Sequence, residues 1–283
     1  MENQILCGDC IALLPQLKDL SVSLVLTSPP YAEQRSKLYT SIAEEDYPAW
    51  MTGVFEAMRP KLKDDASVLV VIRTNQEKGE VSDYVMKTRL SIRAAGWKEP
   101  EELIWLKNDA PPLGSTIRPR RTWENILWFC KTNKPYIDLK ACGNLTKRIG
   151  FAGSDRFGQG GTSPIAAKQN RKMKDGVSKV ADHFIAYVGE IDRGVMHPAM
   201  FPITLAEKLI KTFSRQADLI LDPFMGSGQT GLAAAKNGRH YIGMDISQEY
   251  CDIANARLKS LLKSLPSGDC AAESDTIVHN SLA

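Results

Sequence analysis

Apolar positions along this 283-residue chain alternate between short continuous runs and helical spacings, the rhythm of an α/β sheet. Ile5-Leu6 reads as a short strand and Cys10 to Leu17 as a helix. The run Val22 to Leu26 has the length of a buried strand. Tyr47, Trp50, Met51, Val54, Phe55 and Met58 then line one face of a helix over Asp46 to Met58. Ser67 to Ile72 reads as a strand, and Val81 to Ala95 as a helix stopped by Gly96. Leu103 to Lys107 and Asn125 to Lys131 read as a strand pair on which Trp105, Trp123 and Trp128 are expected to pack. From about Asn133 to Gly194 the periodicity fades into glycines interleaved with basic residues. It returns with a helix over Leu205 to Phe213 and a strand over Asp218 to Leu221. A helix over Leu232 to Asn237, closed by Gly238, precedes a strand over Tyr241 to Met244. A last helix follows from Ser247, with Tyr250, Ile253, Ala254, Arg257, Leu258 and Leu261 at helical spacing. After Ser264 the chain is polar and reads as a disordered tail.

Two strand ends carry the chemistry. Thr27-Ser28-Pro29-Pro30-Tyr31 follows the first buried run and so sits at its carboxyl end, where open α/β sheets bind ligands. Two prolines fix two φ angles and hold the carbonyls in one orientation. Acceptors on a stiff turn beside a flat aromatic face suit an exocyclic amino group on a planar base; a proline-rich turn that merely closes a strand would look the same. The second strand end is Asp222-Pro223-Phe224-Met225-Gly226-Ser227-Gly228-Gln229-Thr230-Gly231, running into a helix. Glycines admit a ligand close to the backbone, and free N–H groups at a helix start attract a carboxylate or phosphate. Asp245 lies 17 positions after Gly228, near the spacing at which an acid meets a ribose diol.

Gly226-x-Gly228-x-x-Gly231 also fits a dinucleotide fingerprint, so a nicotinamide-dependent dehydrogenase is a rival. Position in the chain argues against it. After Asp245 only one helix and the tail remain, so the N-terminal half must complete the sheet and the cofactor half comes last. A dinucleotide enzyme normally opens with its glycine loop.

That inverted order, with both motifs, resembles the S-adenosylmethionine-dependent amino-group DNA methyltransferases in their permuted arrangement. Ser28-Pro29-Pro30-Tyr31 matches the family's catalytic pattern. Asp222 to Thr230 matches its cofactor pattern, with Gln229 as the one departure. His197-Pro198-Ala199-Met200-Phe201-Pro202 resembles the motif just upstream, and Gly8-Asp9 also fits. The resemblance covers roughly residues 3–132 and 195–262. It implies a doubly wound, mostly parallel, seven-stranded sheet, circularly permuted. Residues 1–132 would be the catalytic half and 133–194 a loop-rich target-recognition insert. Residues 195–263 would be the cofactor half and 264–283 the tail.

By the same resemblance, Asp222, Phe224, Gly226, Ser227, Gly228 and Thr230 surround the methionine part of S-adenosylmethionine and Asp245 binds its ribose. His197 and Phe201 flank the cofactor, and Asp9 meets its adenine. Asp9 could instead be only a turn acid, and Asp222 only a helix-start acid. Ser28, Pro29, Pro30 and Tyr31 would be catalytic, on a base flipped out of double-stranded DNA. Serine before Pro-Pro goes mostly with cytosine N4 in the family, aspartate or asparagine with adenine N6. A cytosine-C5 enzyme needs a nucleophilic cysteine, typically after proline, and the chain has no Pro-Cys pair. A cognate restriction endonuclease is left open, as is the choice between monomer and homodimer.

Charge adds one thing. Lys107 to Lys179 holds 15 Lys+Arg against five acids, a net of +10 in a chain whose total is +3, so the remainder sums to −7. Such a basic region is the footprint expected of a polyanion partner, with Arg118, Arg120, Arg121, Arg171 and Lys172 as candidate DNA contacts. A solvated loop would be the plainer reading. No run of 18 apolar residues and no signal peptide are present, so a soluble prokaryotic cytoplasmic protein without membrane contact is expected. The six cysteines are scattered; Cys7-x-x-Cys10 has no second pair, and no metal site is expected. A catalytically silent DNA-binding protein of this fold would have no reason to keep Ser28 to Tyr31.

Overall fold

The computed structural model describes residues 2–32, 42–77, 79–107, 119–143, 179–188 and 201–264. Strands β1 (Gln4–Cys7), β2 (Val22–Thr27) and β3 (Leu62–Ile72) come from the N-terminal half, with helices α1 (Cys10–Leu13), α2 (Tyr47–Met58) and α3 (Tyr84–Ala94). A two-residue pair, β4 (Gln76–Glu77) and β5 (Glu80–Val81), precedes α3, so that helix starts three residues later than its periodicity suggests. Strands β6 (Glu102–Leu106), β7 (Trp123–Cys130) and β8 (His183–Ile185) follow. The chain closes with α4 (Ile203–Phe213), β9 (Leu219–Asp222), α5 (Gln229–Lys236), β10 (His240–Asp245) and α6 (Gln248–Ser264). The α1 helix is only four residues long because Pro15 turns the chain into a 3₁₀ segment over Leu14–Gln16.

The main sheet has the order β1-β10-β9-β2-β3-β7-β6-β8. All its strands run parallel except β7, which is antiparallel to both β3 and β6. The expected doubly wound, mostly parallel sheet is present, with eight strands instead of seven. The added one, β8, is a short edge strand from the interval expected to be loop-rich. The permuted order is legible in the pairing: β9, from the C-terminal part, lies hydrogen-bonded between β10 and β2.

Each face of the sheet covers one apolar cluster. Tyr47, Met51, Phe55 and Met58 of α2 pack on one side against Val68, Val70 and Phe129. Leu205, Leu209 and Phe213 of α4 pack on the other against Leu24, Leu69 and Trp128. Alternation along β3 and β7 sends successive side chains to opposite faces, which is why both strands read as continuous apolar runs. Trp105 and Trp128 are buried as expected. Trp123 is not: it begins β7 and is 51% exposed. Among the described residues no helix is long and apolar enough to cross a membrane.

Candidate active site at the carboxyl edge of the sheet

Strand register brings the two motifs together. Leu24 pairs with Ile220 and Val25 with Leu221, so Thr27 and Asp222 leave their strands side by side. The Thr27 hydroxyl donates to Asp222 Oδ1 at 2.6 Å, and the Thr230 hydroxyl donates to Asp222 Oδ2 at 2.6 Å. The Phe224 N–H also donates to Oδ1, at 3.0 Å. One carboxylate thus fastens the diproline corner to the glycine turn. It is 2% exposed, and burial pushes its pKa up to about 6; the Thr230, Thr27 and Phe224 donors oppose the rise and the charge of Asp245 adds to it.

The glycine turn is shaped from three sides. Gly226 and Gly228 adopt φ of 52° and 93°, in the left-handed region that glycine reaches without strain. A Cβ on Gly228 would stand 3.0 Å from the Cβ of Ala254 on α6, so close helix packing also requires glycine there. Asp245, at the end of β10, accepts from the Gly226 N–H at 2.9 Å through Oδ2 and from the Ser247 N–H at 2.9 Å through Oδ1. Burial raises its pKa, against those two bonds. The Gly8 N–H donates to the Asp245 carbonyl at 2.8 Å, which sets the β1 turn beside it. Asp9 is exposed on that turn and caps α1, accepting from the Ile11 N–H at 2.7 Å.

Gln229, the departure from the family pattern, has a structural use. Its Nε2 donates to the Phe201 carbonyl at 3.2 Å and its Oε1 accepts from Arg257 at 3.2 Å; Arg257 also donates to the Ser227 carbonyl at 2.6 Å. The side chain therefore ties the turn to the upstream motif and to α6. Phe201 is buried in the cluster under α4, and Phe224 lies against Trp50 with ring centroids 5.5 Å apart.

At the corner itself Pro29 is buried, and Ser28, Pro30 and Tyr31 are half-buried. The Tyr31 hydroxyl donates to Glu124 Oε2 on β7 at 3.1 Å. Burial drives the phenol pKa well up and the Glu124 charge adds to it, while the Ser28 hydroxyl bonds to it and opposes the rise. Lys107 pairs with Glu124 and lies 4.4 Å from the Trp105 ring centroid. Glu124 and Lys107 have no place among the sequence-derived candidates; an acid inside the apolar strand Trp123–Cys130 was the available signal. Asn75 steadies the far side by donating to the Ala32 carbonyl at 2.7 Å.

Of the basic candidates, Arg120 is exposed, and Arg121 is half-buried with Nη1 donating to the Thr74 carbonyl at 3.0 Å. Arg118, Arg171, Lys172 and His197 lie outside the described residues, as do most of the 133–194 interval and the tail beyond 264. Among the described residues no group of three or more His, Cys, Asp or Glu side chains could hold a metal ion.

Four acids and hydroxyls from distant parts of the chain thus meet on one edge of a permuted, mostly parallel sheet with a single antiparallel strand. This is the class I methyltransferase architecture. The N6/N4 methyltransferase family, described as DNA methylase, matches residues 22–256, and the chain belongs to it. It is 28% identical over 267 residues to the type II methyltransferase M.PvuII of Proteus hauseri, covering 86% of this chain and 80% of that protein. Among solved structures, the cytosine-N4-specific PvuII DNA methyltransferase superposes with a TM-score of 0.68 at 24% identity, over 92% of this chain and 89% of that one. The M1.HpyAVI–SAM complex gives 0.57 at 20% identity, over 90% and 98%. At these identities the two structures speak to the fold.

Proposed function

We propose that the chain transfers a methyl group to the exocyclic N4 amino group of a cytosine flipped out of double-stranded DNA, as the modification partner of a restriction system. DNA amino-group methylation is the family's activity, and the donor is S-adenosylmethionine. The observation that carries the reading is the 2.6 Å bond from Thr27 to Asp222, which sets the diproline corner beside the glycine turn. Had those motifs opened into separate cavities, no single methyl could bridge them.

An exocyclic amine on a pyrimidine is a poor nucleophile because its lone pair is delocalised into the ring. The Ser28 hydroxyl and the Pro29 carbonyl are the two acceptors for its hydrogens. Binding both pulls the nitrogen toward tetrahedral geometry and localises the lone pair, and the same acceptors stabilise positive charge as it develops. Tyr31 gives the extruded base a stacking face. When bound, the cofactor supplies an electrophilic methyl on a sulfonium. Gly226, Ser227 and Gly228 are the candidates to surround its methionine part, Asp245 to bind its ribose hydroxyls and Asp9 to meet its adenine. His197, Phe201 and Phe224 would flank it, and Asp222 and Thr230 hold the turn in shape.

Serine at position 28 supports cytosine N4, as does kinship with the PvuII DNA methyltransferase, itself cytosine-N4-specific. Residues 133–194, with Arg171 and Lys172, would read the DNA sequence, while Arg118, Arg120 and Arg121 would meet phosphate. The test is single-molecule sequencing of DNA from prokaryotic cells expressing the chain, with mass spectrometry of its nucleosides. N4-methylcytosine in one sequence context is expected. N6-methyladenine would overturn the base assignment, and unmodified DNA would overturn the activity. Ser28→Ala and Tyr31→Ala should each abolish transfer with cofactor binding intact; full turnover in either rejects the corner as the catalytic site.

A further inference from the structure

We infer that Glu124, held by Lys107, is a positioning residue that fixes the plane of Tyr31 for the extruded base; this rests on the reading of Ser28 to Tyr31 as the catalytic corner. Two prolines fix the backbone entering Tyr31, but the ring keeps its own side-chain torsions. A stacking face is useful only if its plane is set before the base arrives. The Tyr31 hydroxyl reaches across β3 to Glu124 Oε2 at 3.1 Å, which fastens the far end of the ring.

Stability alone does not account for this arrangement. Glu124, on β7, and Lys107, just past the end of β6, are both about nine-tenths buried, and the alternate residues Trp105, Ile126 and Trp128 of those strands are apolar. A buried ion pair gains little or nothing over a well-packed apolar pair of equal volume. What an apolar pair could not supply is a fixed acceptor for the phenol. The support behind that acceptor is rigid as well. Lys107 lies over the Trp105 ring, and the Trp105 indole N–H donates to the Ala186 carbonyl at 2.9 Å. The contacts thus run from the β8 edge to the catalytic corner.

The test uses the full chain and a duplex with its mapped target site. Lys107→Met with Glu124→Gln removes both charges and keeps an acceptor; Lys107→Met with Glu124→Leu removes the acceptor too. The first pair should keep kcat within about threefold, and the second should lose about tenfold, one hydrogen bond to a well-placed acceptor. Cofactor affinity and KM for DNA should not change. With 2-aminopurine at the target position and no cofactor present, the second pair should show a smaller stacked population. In a Tyr31→Phe background the two pairs should become equal. Equal kcat with Tyr31 intact, or a difference that survives Tyr31→Phe, overturns the inference. Should either pair fail to fold, Tyr31→Phe alone decides: about a tenfold loss of kcat is expected, and full kcat overturns it. Full turnover in Tyr31→Ala would be a different failure, that of the catalytic corner itself.

Discussion

Replacing Asp222 by asparagine should stabilise the protein at pH 8 and leave cofactor binding nearly intact. Burial raises this carboxyl from 3.8 to about 6, despite three hydrogen-bond donors. Because the folded pKa lies above the unfolded one, the fold favours the protonated form. Its stabilising contribution is complete below pH 3.8 and is lost as pH climbs through about 6. Ionised Asp222 therefore lowers stability by about 3 kcal/mol at pH 8 relative to a neutral side chain. Asparagine is that neutral side chain. Its oxygen can accept from Thr27 and the Phe224 N–H, and its amide can donate to Thr230. The Thr230 hydroxyl can then turn to the Leu26 carbonyl, 3.2 Å away.

Urea denaturation of both proteins from pH 4 to 8 measures the difference. Asp222→Asn should match the parent near pH 4, gain about half the difference by pH 5 and the full 3 kcal/mol or so by pH 8. A gap that stays flat with pH, or a parent more stable at pH 8, would show that the donors outweigh burial. Calorimetry with S-adenosylmethionine adds the functional half. If Asp222 serves the cofactor only by fastening Thr27 to the glycine turn, affinity stays within about threefold, or roughly 0.7 kcal/mol. A loss beyond tenfold in a stable variant would mean that its charge meets the cofactor directly.

Asp245→Ala should weaken S-adenosylmethionine binding by tenfold or more, since it removes the acid proposed for the ribose and the acceptor of the Gly226 and Ser247 N–H groups; unchanged affinity by calorimetry would reject the ribose role. Gly228→Ala should lower stability by about 1–3 kcal/mol, because φ of 93° strains any L side chain and its Cβ would crowd Ala254. A thermal midpoint equal to the parent's would count against the observed turn. Arg120→Ala should weaken binding of any duplex uniformly and reduce the slope of log K against log salt by about 1. A change confined to one sequence would make Arg120 a base reader.

The cofactor half was the most legible part of the chain. Asp218 to Asp245 shows strand, glycine turn, helix and strand in unbroken succession, each with local punctuation. The order of the halves told a methyltransferase from a dehydrogenase, which the glycine spacing alone could not, and family membership agrees with it. Less legible were features set by distant contacts. Pro15 cut α1 short, and the extension of β3 back to Leu62 follows from its pairing with Val22 at one end of β2. Trp123 resembles Trp105 and Trp128 in type but sits where β7 begins, beyond the cover of either cluster. Glu124 was visible as an acid in an apolar strand, yet its partner Tyr31 lies 93 positions away, and no local pattern encodes that pairing.

The permuted order also explains why the junction carries such polar chemistry. In this sheet β2 and β9 are neighbours although their joined residues, Thr27 and Asp222, are 195 positions apart. No short connection holds the two turns in register, so side chains must do so. A carboxylate accepting from hydroxyls on both sides fixes distance and direction together, which apolar packing between two loops cannot. The same logic recurs at Gln229, which ties the turn to Phe201 and α6, and at Glu124, which ties the corner to β7. Each is a buried polar group at a seam between segments far apart in sequence. If Asp222→Asn gains stability with pH as argued, the ionised acid lowers stability at the seam where donor and acceptor must meet, as expected where function rather than stability selects the residue.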